Sequence, residues 1–280
     1  MEILRKVDEI RGWSRNERRS GNTVGLVPTM GALHAGHASL IRAAAESCNR
    51  VAVTIFVNPT QFGPNEDYAR YPRSFDHDCA LAAANGAHVV FAPPVEEIYP
   101  AGAATFVEVE GLSSRLDGLS RPGHFRGVAT VVAKLLIAAE PDRAFFGQKD
   151  AAQVSLIRRM VTDLRIGTEI VVCPIVREPD GIALSSRNAY LSATEREQAL
   201  VLNRAIRKVE SLFAAGERRA ATLVATTRSV FATEPQVRID YIELVDWATL
   251  DPLESAAPGS LFAVAAYVGS TRLIDNIILS

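Results

Sequence analysis

Two histidines three residues apart, His34 and His37, stand among glycines in the stretch Pro28-Thr29-Met30-Gly31-Ala32-Leu33-His34-Ala35-Gly36-His37. An apolar run at 24–27 precedes it and a helical pattern follows, so it reads as a strand-turn-helix. Backbone N–H groups at a helix N-terminus, with the helix dipole, favour an anion, and Gly31 and Gly36 let phosphate oxygens approach the main chain. Both imidazoles can face one ligand and donate to a phosphate at pH 7 without the fixed charge of a lysine. The chemistry this spacing suits is nucleotide-phosphate binding, although glycine-rich turns of this kind also occur without a nucleotide. Zinc is the other ligand that paired histidines suggest, but it needs three or four protein ligands and no further Cys or His lies nearby in the sequence. His77, His88 and His124 are scattered, and each alone reads as structural or solvent-facing.

Gly147-Gln148-Lys149-Asp150 follows an apolar run at 144–146 and opens a helical pattern. There Lys149 can neutralise phosphate, and Asp150 can hold a ribose hydroxyl or hydrated magnesium; a plain helix cap accounts for Asp150 equally well. Ala183-Leu184-Ser185-Ser186-Arg187-Asn188 sets two hydroxyls beside a guanidinium, donors suited to a polyphosphate or to ordinary loop chemistry. Gln61 and Gln153 carry amides able to bind a small hydroxy acid, donating to its carboxylate and accepting from its hydroxyl; either could equally be a surface glutamine. In 120–135, Val131, Val132 and Leu135 read as core, and the roles of Arg121 and His124 stay open.

These residues need a scaffold, and its pattern is legible. Apolar runs at 24–27, 51–57, 88–91, 144–146 and 170–172 read as strands, with helices over 37–48, 75–85, 126–139 and 151–164. The alternation predicts an α/β fold, a Rossmann-like doubly wound parallel sheet with helices on both faces. Ligands of such sheets bind at the carboxyl ends of the strands, where the histidine turn and the loop 58–65 both fall. Beyond 176 the pattern changes: a loop at 177–181, a helix opening at Ser192 with Glu195 at capping-box spacing, then runs at 237–245, 261–267 and 272–279 that read as antiparallel strands. The expected organisation is a Rossmann-like nucleotide-binding domain over 1–175 and a smaller α+β C-terminal domain over 176–280.

With 280 residues, 48% of them hydrophobic, the chain can bury a sizeable core. A net charge of −2 gives no bulk attraction for nucleic acid or an anionic membrane surface. Cys48, Cys79 and Cys173 are an odd number without short-spaced pairing, which points to a reducing compartment rather than a disulfide framework. No signal peptide or membrane-spanning run is legible, and the expected location is the cytoplasm.

Taken together, PTMGALHAGH at 28–37, FVNPTQF at 56–62, YPR at 71–73, RPGHFRGVATVVAKL at 121–135, FGQKD at 146–150 and REPDGIALSSRN at 177–188 closely resemble the pantothenate synthetases, the pantoate–β-alanine ligases of the His-x-Gly-His nucleotidyltransferase-like superfamily. The resemblance runs in family order through almost the whole chain. It implies that Met30, Gly31, Ala32, Leu33, His34, Ala35, Gly36 and His37, then Gly147, Gln148, Lys149 and Asp150, then Val176, Leu184, Ser185, Ser186 and Arg187 bind ATP. It implies Gln61 and Gln153 as pantoate ligands, Gln61 near β-alanine too, and His37 as the proton donor, with His34, Lys149 and Arg187 completing the catalytic set. ATP and Mg²⁺ are implied, with pantoate and β-alanine as small-molecule partners, an ATP- and pantoate-binding first domain, a C-terminal lid domain and a homodimer as assembly; no protein ligand set for the metal is assigned. Leu184 stands where the family usually has Met, Gln148 where Glu is usual, and Ala151-Ala152 where Tyr-Gln is usual, while Lys149, Asp150 and Gln153 remain. Leu for Met conserves volume, so the expectation is that the reaction is kept and these departures act on affinity. A nucleotidylyltransferase of the same superfamily, or a non-catalytic nucleotide-binding protein, are the alternatives.

Overall fold

A computed structural model describes residues 1–64 and 68–280; Asn65, the end of the expected 58–65 loop, lies outside the described residues. The chain divides into two compact units: Met1–Gly147 with Leu156–Pro174, and Gln148–Ser155 with Ile175–Ser280. The second unit therefore takes in residues 148–155, which a boundary at 175 leaves in the first.

The first unit is built on β1 (Glu2–Leu4), α1 (Val7–Arg19), β2 (Val24–Thr29), α2 (Ala35–Ser47), β3 (Arg50–Ile55), α3 (Phe75–Ala84), β4 (Val89–Phe91), the short helices α4 (Val95–Ile98) and α5 (Asp117–Ser120), α6 (His124–Ala139), β5 (Arg143–Gly147), most of α7 (Ala151–Asp163) and β6 (Glu169–Cys173). Its strands form one parallel sheet in the order β1-β4-β3-β2-β5-β6. The chain adds strands on one side of β2, then returns to its other side with β5, so the topological switch lies between β2 and β5.

The two strands also part there. β2 pairs with β3 as far as Thr29↔Ile55, but with β5 only through Gly25↔Arg143 and Leu26↔Ala144. Pro28, with no N–H to give a ladder, lies just past the last β5 pair. The β2–β5 ladder thus ends short of the carboxyl end of the sheet, where β2 runs into the histidine turn. Val24, Leu26 and Val27 are fully buried, as expected of a parallel strand covered on both faces. Val27, Ile41, Ala44, Val51, Val53, Val90 and Phe145 share one core cluster.

The expected strands and helices are present, with shifted ends. The strand expected over 51–57 stops at Ile55, and Phe56 N–H then donates to Thr29 O at 3.1 Å before the chain turns at Asn58. The helices expected from 37 and 126 begin earlier, at Ala35 and His124, because His34 and Gly123 are their caps. Val131, Val132 and Leu135 of α6 are buried as core. The strand β1 has no counterpart among the expected elements: it is three residues long, flanked by charge, and pairs only at the sheet edge against β4.

The second unit holds the first residues of α7, then α8 (Ala193–Ala214), α9 (Ala220–Phe231) and an antiparallel sheet β7 (Val237–Val245), β8 (Leu261–Val268), β9 (Thr271–Ile278). Ser192 and Glu195 make the expected capping box at the start of α8. Leu202, Ile206 and Val209 of α8 pack into one core with Leu223, Phe231, Phe262 and Val264. The expected loop at 177–181 is the tip of a small hairpin: Arg177 bridges Ala183, and Leu184 N–H donates to Val176 O at 2.9 Å.

Candidate active site

In the first unit the turn between β2 and α2 is held by a residue far along the chain. Asp78 of α3, 1% exposed, accepts from Ala32 N–H at 2.9 Å, Leu33 N–H at 2.8 Å and Ser74 Oγ at 3.0 Å. Gly31 has φ +84°, and a Cβ there would stand 2.9 Å from Asp78 Oδ2 and 3.2 Å from Ile55 Cγ2, so glycine is required both for conformation and for space. Ala32 follows at φ 51°, a left-handed geometry unusual for a residue with a side chain, and the Asp78 bond to its N–H holds it there.

His34 is the N-cap of α2. Its Nδ1 accepts from Gly36 N–H at 3.1 Å, while His37 Nδ1 accepts from His34 N–H at 3.3 Å, a capping box made of two imidazoles. An Nδ1 that accepts from a backbone N–H places the proton of a neutral ring on Nε2. The rings are neighbours, with centroids 4.2 Å apart and planes at 42°. Met30 to His37 therefore form one segment at the N-terminus of α2, its positive end, with two neighbouring imidazoles whose Nε2 atoms carry the ring protons, an arrangement suited to an anion.

Gln61 belongs to the same unit and is 9% exposed. Its Oε1 accepts from Asn58 Nδ2 at 3.0 Å, and its Nε2 meets Met30 Sδ at 3.0 Å, which joins the expected pantoate residue to the expected nucleotide turn. Its carbonyl is held at 2.9 Å by His124 Nδ1. A carbonyl only accepts, so His124 carries its proton on Nδ1, and Nε2 accepts from Arg121 Nη1 at 2.9 Å. Arg121 and His124, left open by the sequence, thus support Gln61. Asn58 Oδ1 takes Thr60 Oγ1 at 3.0 Å and Tyr99 OH at 2.9 Å, and burial pushes the Tyr99 phenol above its ordinary pKa. Gly147 ends β5 at the same carboxyl edge of the sheet.

In the second unit, Gln148, Lys149 and Asp150 form a single 3₁₀ turn leading into α7, whose first residues carry Gln153. Lys149 Nζ lies 3.6 Å from Asp150 Oδ1. Val176 and Leu184 face each other across the hairpin, and Ser185 Oγ accepts from Arg187 N–H at 3.3 Å, so Ser185, Ser186 and Arg187 sit on one capped turn. Below it Asn188 Nδ2 donates to Glu178 Oε1 at 2.7 Å and to Ala183 O at 3.1 Å, closing the loop on itself. Among the described residues no group of three or more His, Cys, Asp or Glu is gathered to hold a metal ion.

Sequence reading misses Asp78, Asn58 and Tyr99. Asp76 and Asp78 look alike as acidic residues in the first turn of α3, but Asp76 is exposed and Asp78 is buried. Asn58 carries a signal, a turn former immediately before Pro59, that by itself points to loop chemistry alone.

A model of the family described as Pantoate-beta-alanine ligase matches residues 2–278. The pantothenate synthetase of Acidobacterium capsulatum is 60% identical over 283 residues, covering 99% of this chain and 94% of the relative. A crystal structure of pantothenate synthetase from Thermus thermophilus superposes with a TM-score of 0.94 at 44% identity, 99% of each chain being covered. That of the Francisella tularensis pantoate-beta-alanine ligase, described as complexed with beta-gamma ATP and beta-alanine, gives 0.81 at 36% identity, covering 99% of this chain and 97% of that one. With the two-histidine turn, the buried Gln61 and the Lys149 and Ser185–Arg187 turns all present, and with a parallel sheet of this topology, the chain belongs to the pantoate-beta-alanine ligase family.

Proposed function

We propose that this chain condenses pantoate with β-alanine at the expense of ATP, through a pantoyl adenylate, releasing pyrophosphate and AMP. The observation that carries this is the family match over residues 2–278, and the donor geometry of the histidine turn agrees with it. A pantoate carboxylate oxygen attacks the α-phosphorus, the bond from that phosphorus to the bridging oxygen breaks, and pyrophosphate leaves with the electron pair. The β-alanine amine then attacks the acyl carbon, AMP departs, and the amine loses a proton to give the amide.

No protein nucleophile takes part, so catalysis is positioning together with stabilisation of charge on the phosphates. The Nε2–H groups of His34 and His37, Lys149, Ser185, Ser186 and Arg187 are the donors assigned to ATP, with Met30 to His37, Gly147 to Asp150, Val176 and Leu184 around it. His37 is assigned as proton donor. Gln61 and Gln153 are assigned to pantoate, and the Gln61 amide is held in one orientation by Asn58 and Met30. Magnesium enters as part of the substrate, MgATP, and the half-exposed Asp150 carboxylate suits its water shell. The family resemblance also supports a homodimer and a cytoplasmic location.

The test is exchange of labelled pyrophosphate into ATP by protein supplied with MgATP and pantoate but no β-alanine, followed by addition of β-alanine. Pantoate-dependent exchange, with AMP released on the addition, is the expected result. AMP retained in the product would mean a nucleotidylyltransferase, and ATP binding without either reaction would mean a non-catalytic protein.

A further inference from the structure

Asp275 and Asn276 are adjacent in β9 and buried, at 2% and 4% exposure. A carboxylate and an amide are stable there only if each is fully partnered. Asp275 takes Arg177 bidentately, Nη1 at 2.7 Å and Nη2 at 2.9 Å, and also accepts from Asn276 N–H at 2.8 Å. Asn276 Nδ2 donates to two successive carbonyls, Gln148 O at 3.0 Å and Lys149 O at 2.9 Å, and its Oδ1 accepts from Gln148 Nε2 at 3.3 Å. Carbonyls only accept, so the amide's orientation is set by these partners. The peptide groups on both sides of the Lys149 Cα are thereby fixed by one side chain. Arg177, at the far end of the same chain of contacts, adjoins Val176 in the hairpin that runs into Leu184.

We propose that Asn276 is a positioning residue for the adenylation step: its amide fixes the backbone that aims Lys149, and the Asp275–Arg177 ion pair ties the same strand to the hairpin carrying Val176 and Leu184–Arg187. This rests on the assignment of those residues to ATP. It agrees with residues 148–155 belonging to the second unit, whose Asn276 holds Gln148 and Lys149 and whose Trp247 holds Ala151. Gln148 has the amide donor that Asn276 Oδ1 accepts, which a carboxylate in its place would lack.

The test is a double-mutant cycle read by pantoate-dependent pyrophosphate exchange, on proteins first shown by melting to be folded at the assay temperature. Asn276→Ala is expected to lose about 10- to 100-fold in turnover or in KM for ATP, the scale of a misplacement near 1 Å, with KM for pantoate unchanged. Combined with Lys149→Ala it is expected to add almost nothing, because its effect passes through Lys149. A merely structural role would give additive losses, and additivity, or an unchanged Asn276→Ala enzyme, overturns the inference while leaving the ATP assignment standing. Full turnover in Lys149→Ala overturns both. Absence of exchange in the unmodified protein overturns the proposed function and this inference with it. If Asn276→Ala does not fold, Asn276→Ser, too short to reach both carbonyls, is read in the same cycle with the same outcomes.

Discussion

Gly127 of α6 lies against Thr60 so closely that a Cβ on it would stand 2.3 Å from the Thr60 carbonyl oxygen and 2.7 Å from Gln61 Cα. Asn58 Nδ2 completes the contact by donating to Gly127 O at 3.2 Å. The 59–61 turn is thus seated on a point of α6 where no side chain stands. Gly127→Ala is expected to destabilise the fold by about 1–3 kcal/mol through overpacking and to raise KM for pantoate more than KM for ATP. Thermal melting and substrate titrations check it; an alanine variant with both KM values unchanged would remove the link between α6 and Gln61.

Asp78 gives a second outcome. Asp78→Ala leaves the N–H groups of Ala32 and Leu33 without their acceptor, at about 1–3 kcal/mol for each if buried. The expected result is a lower melting temperature with a raised KM for ATP, and a smaller effect for Asp78→Asn, which keeps one acceptor oxygen. Equal behaviour of Asn and Ala at this position would show that the bond to a single N–H carries nothing.

Lys149→Ala and His37→Ala are each expected to keep the fold and lose most turnover, on the order of 100-fold or more. Lys149 lies partly exposed in a 3₁₀ turn, and His37 is half-buried in the first turn of α2, so neither truncation opens the core. Pyrophosphate exchange with circular dichroism separates the two effects, and a variant that turns over normally loses its assigned role.

His88 supplies the pH dependence. Its Nδ1 accepts from Val51 N–H at 3.1 Å, and burial first, then the nearby Arg50 charge, lowers its pKa below the ordinary histidine value, against a smaller opposing pull from Glu17. Protonated imidazole cannot accept that bond. Below about pH 6.5 the unfolded chain binds the proton more readily, so this contribution to stability is present above that pH and lost as pH falls toward the folded value. NMR titration of the five histidines should show His88 with a depressed midpoint, and His88→Phe should flatten the decline of the melting temperature over the same range. A midpoint at or above the ordinary value would refute it.

Much of this is readable in the sequence, and the limits have physical reasons. The alternation of buried apolar runs with helical periods exposes the parallel sheet, because a strand covered on both faces must be apolar throughout, as Val24, Leu26 and Val27 are. β1 is not readable, since three residues carry no period. The histidine turn and the Lys149 turn are legible because glycines and charged residues cluster locally. Asp78, Asn58 and Asn276 act on backbone 45, 69 and 128 positions away, at Leu33, Gly127 and Gln148 respectively, and no local pattern encodes such a partner. A trace is still present: two adjacent polar residues, Asp275 and Asn276, within an otherwise apolar stretch of strand.

The allotment of residues 148–155 bears on how the gene can be cut. The chain passes from one unit to the other at 147/148, at 155/156 and again at 174/175. A stop codon after residue 175 would release a fragment whose Gln148 and Lys149 carbonyls have lost the Asn276 amide, and whose Ala151 carbonyl has lost the Trp247 indole N–H. The complementary fragment from 176 would carry an Asn276 with nothing to cap. Neither half is a transplantable module, so a chimaera between two relatives should exchange 148–155 together with the C-terminal segment, or leave both in place.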